Sequence, residues 1–189
     1  MAEAGQIKET QHLDAEAEAR RQLALAQIRQ YPDPVLRMRA HEAQEFDDDL
    51  TALVDRMKAL MRDANGVGLA ATQVGVLRRV FVFQESDEEI TAVVNPRVAS
   101  AAEPVINDEG CLSLQGVLVP VERAASVALE GFDPAGQEIR LELAGLAARV
   151  AQHELDHLNG KLIIERTTDE ARKDALATLR PRPVLAAIA

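Results

Sequence analysis

The chain has 189 residues, 47% of them hydrophobic, so it is long enough to bury one core, and a single domain is the default expectation. Aromatic residues make up only 3% of the chain and tryptophan is absent, so the core must be built from aliphatic side chains. The net charge of −10 argues against sequence-independent binding of nucleic acid through the whole surface.

The sequence carries no sign of export or membrane insertion. The first five residues lack the basic segment and apolar core of a secretory signal, and no run approaches the roughly 18 apolar residues that a membrane span requires. The one cysteine cannot form an internal disulfide, which fits a reducing compartment. Because transit peptides avoid acids and this terminus is rich in them, we expect a cytoplasmic protein.

Two helices are predicted in the first third of the chain. The segment from Ala15 to Gln30 is rich in Ala, Glu, Arg and Gln and should be helical; we treat residues 1–26 as an extension that is helical or loose. Apolar residues then recur at helical spacing over residues 47–63, with three aspartates near the start of that helix. Asn65 and Gly66 are typical of its end.

A glycine-rich segment follows this helix, Gly66-Val67-Gly68-Leu69-Ala70-Ala71-Thr72-Gln73. The same glycine spacing occurs in dinucleotide-binding loops, but those follow a strand. The glycines are better explained as backbone that passes close to a ligand or takes a positive φ. Gln73 would then present an uncharged amide to an oxyanion, although an ordinary surface glutamine is the alternative.

Short strands are predicted over most of the remaining chain. They cover residues 80–83, 91–94, 117–121, 126–130 and 138–143, with a hairpin turn at 133–136. Because helices and strands come in separate runs, the predicted fold class is α+β, with mostly antiparallel sheets packed around a central helix. The catalytic body is expected at residues 27–168 and a tail at 169–189, where Pro181 and Pro183 end any helix that starts at Asp169.

Cys111 lies within the segment Asn107-Asp108-Glu109-Gly110-Cys111-Leu112-Ser113-Leu114. A free cysteine is more often a small buried hydrophobic residue than a ligand. Beside a glycine and a run of acids, however, the segment is typical of a loop that enters a strand, where a thiolate can face a cleft.

The predicted central helix contains His153-Glu154-Leu155-Asp156-His157. Histidines four positions apart on a helix share one face and can bind one metal ion, and the adjacent Glu154 can reach a metal-bound water as a general base. A surface helix with incidental histidines is the alternative. Glu165 and Glu170 lie downstream without a distinctive context, so Cys111 is the better third ligand of a tetrahedral site with one open position.

Three segments together resemble the signature motifs of peptide deformylases: residues 66–73, Glu109-Gly110-Cys111-Leu112-Ser113 and Gln152-His153-Glu154-Leu155-Asp156-His157-Leu158. The resemblance extends from about Ile28 to Thr167. It implies that Cys111, His153 and His157 bind the metal ion and that Glu154 is the general acid/base. It also implies that the Gln73 side chain and the Leu112 backbone N–H form an oxyanion hole.

The resemblance further implies the reaction and its partners. The expected substrate is the N-formyl-methionine end of newly made polypeptides, attacked by a water activated at the metal ion and Glu154. The family implies one divalent ion, Fe(II), which Zn, Ni or Co often replaces. We expect an apolar methionine pocket from Leu146 and Val150 with Val67 opposite, and substrate contacts at Gly68 and Gly110.

Several expectations concern the rim and the tail. Arg149 is expected to reach the rim or to pair with an acid such as Glu109. The family usually has a proline at the position of Gln115 and often a basic residue at Leu118, so substrate affinity is in question. A basic cluster in the tail, formed by Arg172, Lys173, Arg180 and Arg182, is the candidate for transient ribosome contact.

Two other functions stay open on the sequence. One is a general metallopeptidase that uses the same histidine helix. The other is a deformylase-like protein without catalysis or with altered specificity, suggested by Gln115 and Leu118. Neither a membrane partner nor a specific nucleic acid is expected.

Overall fold

The computed structural model describes residues 14–85 and 89–180 of the chain. Its helices are α1 (Ala15–Leu25), α2 (Asp48–Asp63), α3 (Gly145–Leu158) and α4 (Asp169–Thr178). Its strands are β1 (Gly68–Ala70), β2 (Val80–Gln84), β3 (Ile90–Ala101), β4 (Pro104–Cys111), β5 (Leu114–Ala124), β6 (Ser126–Phe132) and β7 (Glu138–Ala144). The fold class is α+β, as predicted.

The strands form two antiparallel sheets. Five of them make one sheet in the order β1-β2-β3-β6-β7, and β4 pairs only with β5 in a separate hairpin. The predicted turn between β6 and β7 is present: the Asp133 side chain accepts hydrogen bonds from the backbone of Ala135 and Gln137, and Gly136 has a φ of 83°. The positive φ explains why glycine suits this position.

Helices α2 and α3 pack on opposite faces of the five-stranded sheet, and the side chains of β2 alternate between these two faces. Val80 and Val82 pack in the core that contains α2, whereas Phe81 and Phe83 pack in the core that contains α3. Successive side chains of a strand point to opposite faces, so one short strand serves both layers. Each side chain of this size contributes roughly 1.5–3 kcal/mol when it is fully buried.

The β4–β5 hairpin has a third core of its own. Its inward side chains pack with Leu36, with the turn at Leu162–Ile164 and with Ala175 of α4. This core lies next to α3, because Cys111 belongs to it and contacts a histidine of that helix. Helix α3 is therefore central, between the five-stranded sheet and the hairpin.

The observed elements differ from the predicted ones in three places, one of which is β1, a short strand inside the glycine-rich segment where no strand is predicted. α1 ends at Leu25 rather than Gln30, because the chain turns so that Ile28 enters the core and the Arg29 N–H donates to the Gln73 carbonyl at 2.7 Å. β4 is absent from the predicted strands, because its polar run at Asn107–Glu109 is more typical of a loop. The other predicted strands are present and most are longer.

No helix within the described ranges has both the length and the apolar character needed to cross a membrane. The predicted stop of the last helix is consistent with the structure, in which α4 ends at Thr178. Pro181, Arg182 and Pro183, and the first thirteen residues of the expected extension, lie outside the described residues.

Candidate active site

Cys111, His153 and His157 come together at the centre of the molecule. The two histidines occupy one face of α3, and Cys111 ends β4 at a register shift that turns the strand. The distance between the two Nε2 atoms is 3.2 Å, and Cys111 Sγ lies 3.3 Å from His157 Nε2. All three side chains are at most 1% exposed, and their ligand atoms lie within 4.8 Å of one another. Among the described residues, this is the His/Cys/acid group whose geometry could hold a metal ion.

The protonation of these groups fits a metal site. Although burial alone would raise the pKa of Glu109, hydrogen bonds and charges from His153 and Arg123 outweigh it and lower that pKa to about 2. The ionised Glu109 Oε2 lies 2.9 Å from His153 Nδ1, so Nδ1 carries the proton and donates it. In the neutral ring with its proton on Nδ1, Nε2 presents a lone pair to the ligand atoms of Cys111 and His157.

The remaining two donors are neutral in the absence of a cation. Burial lowers the pKa of His157 well below its usual value, and the charges of His153 and Arg123 act in the same direction. Burial also raises the pKa of the Cys111 thiol, against hydrogen bonds from the Ser113 and Leu114 backbone. A divalent cation would instead lower the pKa of the Cys111 thiol, because a thiol that coordinates a metal ion is deprotonated. Two imidazoles and a thiolate suit zinc or iron(II).

Glu154 lies on α3 beside the histidines and is fully buried. Its carboxylate packs against β1: a Cβ on Gly68 would collide with Glu154 and lie 2.6 Å from Val150 Cγ1. A glycine is therefore required where the strand passes the helix. The approach is to side chains of α3 rather than to a ligand, and Gly68 does not have a positive φ, so it differs from both explanations that the glycine spacing suggested.

Gln73 is buried, so the alternative of an ordinary surface glutamine is wrong. Its Oε1 accepts a hydrogen bond from the Ala70 N–H at 2.9 Å, which directs Nε2 the other way. Nε2 donates to Ser113 Oγ at 3.0 Å and lies 3.9 Å from Cys111 Sγ. Leu112 is buried between Cys111 and Ser113, and its carbonyl accepts from Gln30 Nε2 at 3.0 Å. The expected oxyanion donors thus lie beside the three ligands.

The residues expected to line a substrate pocket are close to this centre. Val67 and Val150 are buried in the core that contains α3, and Leu146 packs at the edge of that core. Gly110 is buried next to Cys111, opposite Leu118, which is 57% exposed.

The two unusual rim residues and the downstream acids lie away from the three ligands. Gln115 is exposed, and its Nε2 donates to Gln30 Oε1 at 3.1 Å. Glu165 pairs with Arg37 and accepts from the Leu162 N–H, while Glu170 is exposed in the first turn of α4. The preference for Cys111 as third ligand agrees with this placement.

A buried charge network behind the site is absent from the predictions. The Arg123 guanidinium donates to both Glu109 oxygens at 3.0 Å and to Asp156 Oδ2 at 2.6 Å. Arg166 donates to both oxygens of Asp156, so the two arginines share Oδ2. The sequence suggests Arg149 at the rim or paired with an acid such as Glu109; Arg149 is half-buried, and Arg123 is a partner of Glu109 that the sequence did not suggest.

The sequence does contain a signal for Arg123. Val117, Val119 and Val121 alternate along β5 and are buried, and Arg123 continues the same alternation while only 6% exposed. A charged residue at the end of an inward-facing row needs a buried partner. Glu109 and Asp156 are those partners.

The sequence and the fold both match known deformylases. A family model described as polypeptide deformylase matches residues 25–173. A peptide deformylase of Thermodesulfovibrio yellowstonii is 39% identical over 155 residues, which cover 80% of this chain and 94% of the relative. One of Acidothermus cellulolyticus is 43% identical over 158 residues, covering 84% and 87%.

Among solved structures, a peptide deformylase from Legionella pneumophila superposes with a TM-score of 0.77 at 37% sequence identity, covering 80% of this chain and 91% of that one. The resemblance that the three motifs suggested is therefore confirmed over most of the chain. On sequence and fold together, this chain belongs to the polypeptide deformylase family of enzymes.

Proposed function

We propose that this enzyme hydrolyses the formyl group from N-formyl-methionine at the start of newly synthesised polypeptides and releases formate. The observation that carries the proposal is the convergence of Cys111 Sγ and the two histidine Nε2 atoms within 4.8 Å, beside Glu154 and Gln73. Membership of the deformylase family supplies the reaction class.

Cys111, His153 and His157 would hold one divalent ion, and we propose Fe(II), with Zn, Ni or Co as substitutes. When bound there, the ion supplies a lower pKa for a water molecule and polarisation of the formyl carbonyl. Glu109 fixes the tautomer of His153, and Arg123 holds Glu109 in place.

Glu154 is proposed to take a proton from the attacking water and to return it to the departing amine, as a general base and then an acid. Its buried position on α3, next to a ligand, keeps the carboxylate close to the reacting atoms. The Gln73 amide, oriented by the Ala70 N–H, and the Leu112 N–H would donate to the oxyanion. In other enzymes one such donor is worth about 2.7–4 kcal/mol.

The substrate methionine is proposed to pack against Val67, Val150 and Leu146. Gly68 and Gly110 are proposed as further contacts of the substrate, although at Gly68 the missing side chain makes room for Glu154 and Val150. The small formyl group suits a site enclosed by buried side chains, which supports deformylation over general peptide cleavage.

The test of the function is formate release from formyl-Met-Ala, measured without oxygen. Glu154→Gln removes the general base but keeps the shape of the side chain, so we expect a rate about 10²–10⁴-fold lower at unchanged metal content. Glu170→Gln, which changes an exposed acid on α4, is the matched control and should retain the wild-type rate. A wild-type rate in Glu154→Gln would show that the proposed mechanism is wrong.

The same preparation separates the rival functions. Cleavage of longer unformylated peptides would indicate a general metallopeptidase. One metal ion per chain with formate release at background would indicate a deformylase-like protein without catalysis.

We also propose that the enzyme works in the cytoplasm, where nascent chains are made. Transient ribosome contact is proposed for the basic tail, supported by Arg172, Lys173 and Arg180, which are exposed on and just after α4. Arg182, the fourth member, lies outside the described residues.

A further inference from the structure

A groove of about 580 Å³ lies on the outer side of α3, away from the metal ligands. Gln152, Asp156 and Asn159 line it at helical spacings of four and three, so they share one face of that helix. The end of β3 and the end of β5 form the other walls. The groove belongs to neither the metal centre nor the proposed methionine pocket.

The lining of this groove is strongly basic in an acidic protein. Five arginines border it, Arg39, Arg79, Arg97, Arg123 and Arg166, against the two carboxylates of Glu122 and Asp156. The whole chain carries a formal charge of −10, so this concentration of positive charge runs against its composition. A cleft lined by one sign of charge focuses its field and attracts ligands of the other sign.

Three of these arginines already have carboxylate partners. Arg123 and Arg166 share Asp156, and Arg97 pairs with Glu130 at 2.6 Å. Arg97 and Arg166 are 75% and 40% exposed, so each can still offer donors to a ligand.

Arg39 and Arg79 differ from the other three, because within the described ranges neither forms an ion pair. Arg79 is half-buried and donates only to neutral acceptors, Asn159 Oδ1 at 3.0 Å and the Pro96 carbonyl at 3.3 Å. Burial lowers the pKa of Arg79, and the charge of Arg39 lowers it further while Glu42 opposes this. Two guanidinium groups thus line the groove without an ion-pair partner among the described residues, and Glu42 acts on Arg79 from beyond ion-pair distance.

We propose that this groove binds phosphate groups, with Arg39 and Arg79 at its centre and Arg97 and Arg166 at its walls. Guanidinium is planar and donates in parallel pairs, which match two oxygens of a phosphate. Such a ligand would compensate the charge that Arg79 keeps partly buried. The lining includes no aromatic ring on which a base could stack; its apolar residues are Val98, Ala102, Pro104, Ala124 and Leu155. Recognition would therefore fall on phosphate oxygens and would be independent of base sequence.

The test uses the full-length protein loaded with metal. Pyrophosphate binding is measured by titration calorimetry, and binding of a short single-stranded RNA by fluorescence anisotropy. Arg39→Gln and Arg79→Gln should each weaken binding by about tenfold, because each removes a charge-assisted hydrogen bond. For RNA, the slope of log affinity against log salt should become shallower by about 0.7 for each phosphate that the variant no longer neutralises.

Arg56→Gln on α2 is the matched control, because it makes the same charge change at an exposed site outside the groove. Arg39 is exposed, so its variant tests the groove even if Arg79→Gln folds poorly. Formate release from formyl-Met-Ala should stay at the wild-type rate in Arg39→Gln, so the result does not depend on the proposed reaction.

Comparison of the two affinities shows whether the bound phosphate belongs to a nucleic acid strand or to a free phosphate compound. Tight binding of RNA with weak binding of pyrophosphate would identify a phosphodiester strand, and comparable affinities would identify free phosphate compounds. An equal loss of affinity in Arg39→Gln, Arg79→Gln and Arg56→Gln would show that only the overall charge matters, and it would overturn the proposal. Wild-type affinity in both groove variants, or no saturable binding of either probe, would also overturn it.

Discussion

At the scale of single residues, Glu109 controls the state of His153. Its carboxylate accepts from His153 Nδ1 and from Arg123, which keeps it ionised and fixed in direction. Groups that accept from the outer nitrogen of a histidine ligand fix its tautomer and raise its basicity. We therefore expect Glu109 to affect metal affinity, although its carboxylate contacts His153 Nδ1 and not the nitrogen that faces the proposed metal site.

Glu109→Gln is expected to weaken metal binding by about 10–100-fold, the usual cost of losing such a partner. The glutamine keeps the oxygen that accepts from His153 and Arg123 Nη2, but its amide nitrogen replaces the oxygen that accepts from Arg123 Nε. Metal affinity is measured by competition with a chelator of known affinity.

Glu130→Gln is the control for Glu109→Gln, because Glu130 also has two side-chain partners, Arg97 and Arg140, but lies near the surface. The control should bind metal as the wild type does. If Glu109→Gln also keeps wild-type metal affinity, Glu109 does not position the ligand.

The sequence predicts the proposed metal-binding and catalytic residues better than it predicts the residues that position them. His153, His157 and Glu154 follow from helix spacing, and Cys111 and Gln73 from their local context and the family resemblance. Arg123 lies fourteen positions after Glu109 and thirty-three before Asp156, so only the pairing of β4 with β5 brings the three together. No local pattern contains that information.

At the scale of elements, α2 illustrates how an apolar stripe predicts packing. Leu50, Val54, Met57, Leu60 and Met61 are the buried residues of this helix. They lie on the face that packs against the sheet through Val80, Val82 and Val94, which complete the same core. The predicted helix at 47–63 agrees with the observed bounds to within one residue.

Met57→Ala should lower the free energy of unfolding by about 2–5 kcal/mol, because it leaves a cavity where the side chain is fully buried. The exposed neighbour provides the control: Arg56→Ala should change stability by less than about 0.5 kcal/mol. Both are measured by urea unfolding at equal metal occupancy. A loss below about 1 kcal/mol in Met57→Ala would mean that α2 is not packed as described.

The strands show the limit of the same reasoning. Alternating apolar residues predict β5, β6 and β7, where one face meets the core. β4 carries Asn107, Asp108 and Glu109 in succession, and its one buried acid is satisfied only by Arg123 of β5 and His153 of α3. When the inward-facing residue of a strand is charged, its sequence pattern predicts a loop, and only the partner strand shows that it is a strand.

At the scale of the whole molecule, the three proposed ligands come from two separately packed parts. Cys111 belongs to the hairpin core, whereas α3 packs on the five-stranded sheet. Besides the metal centre, Arg123 of β5 connects the two parts through Asp156 of α3. A metal ion held by Cys111, His153 and His157 would therefore cross-link the hairpin to the rest of the fold.

Removal of the metal ion should lower the thermal stability of the whole protein, because a ligand bound only by the folded state stabilises it. At a free metal concentration about a thousand times the Kd, this contribution is about 4 kcal/mol. Differential scanning calorimetry is done on loaded and chelated wild type and on Cys111→Ala in the same two states. The wild-type Tm should fall on chelation, while the Tm of Cys111→Ala should depend much less on metal, since that variant loses the ligand from the hairpin. Equal shifts in both proteins would show that Cys111 does not hold the ion and that the hairpin is joined to α3 by side-chain contacts alone.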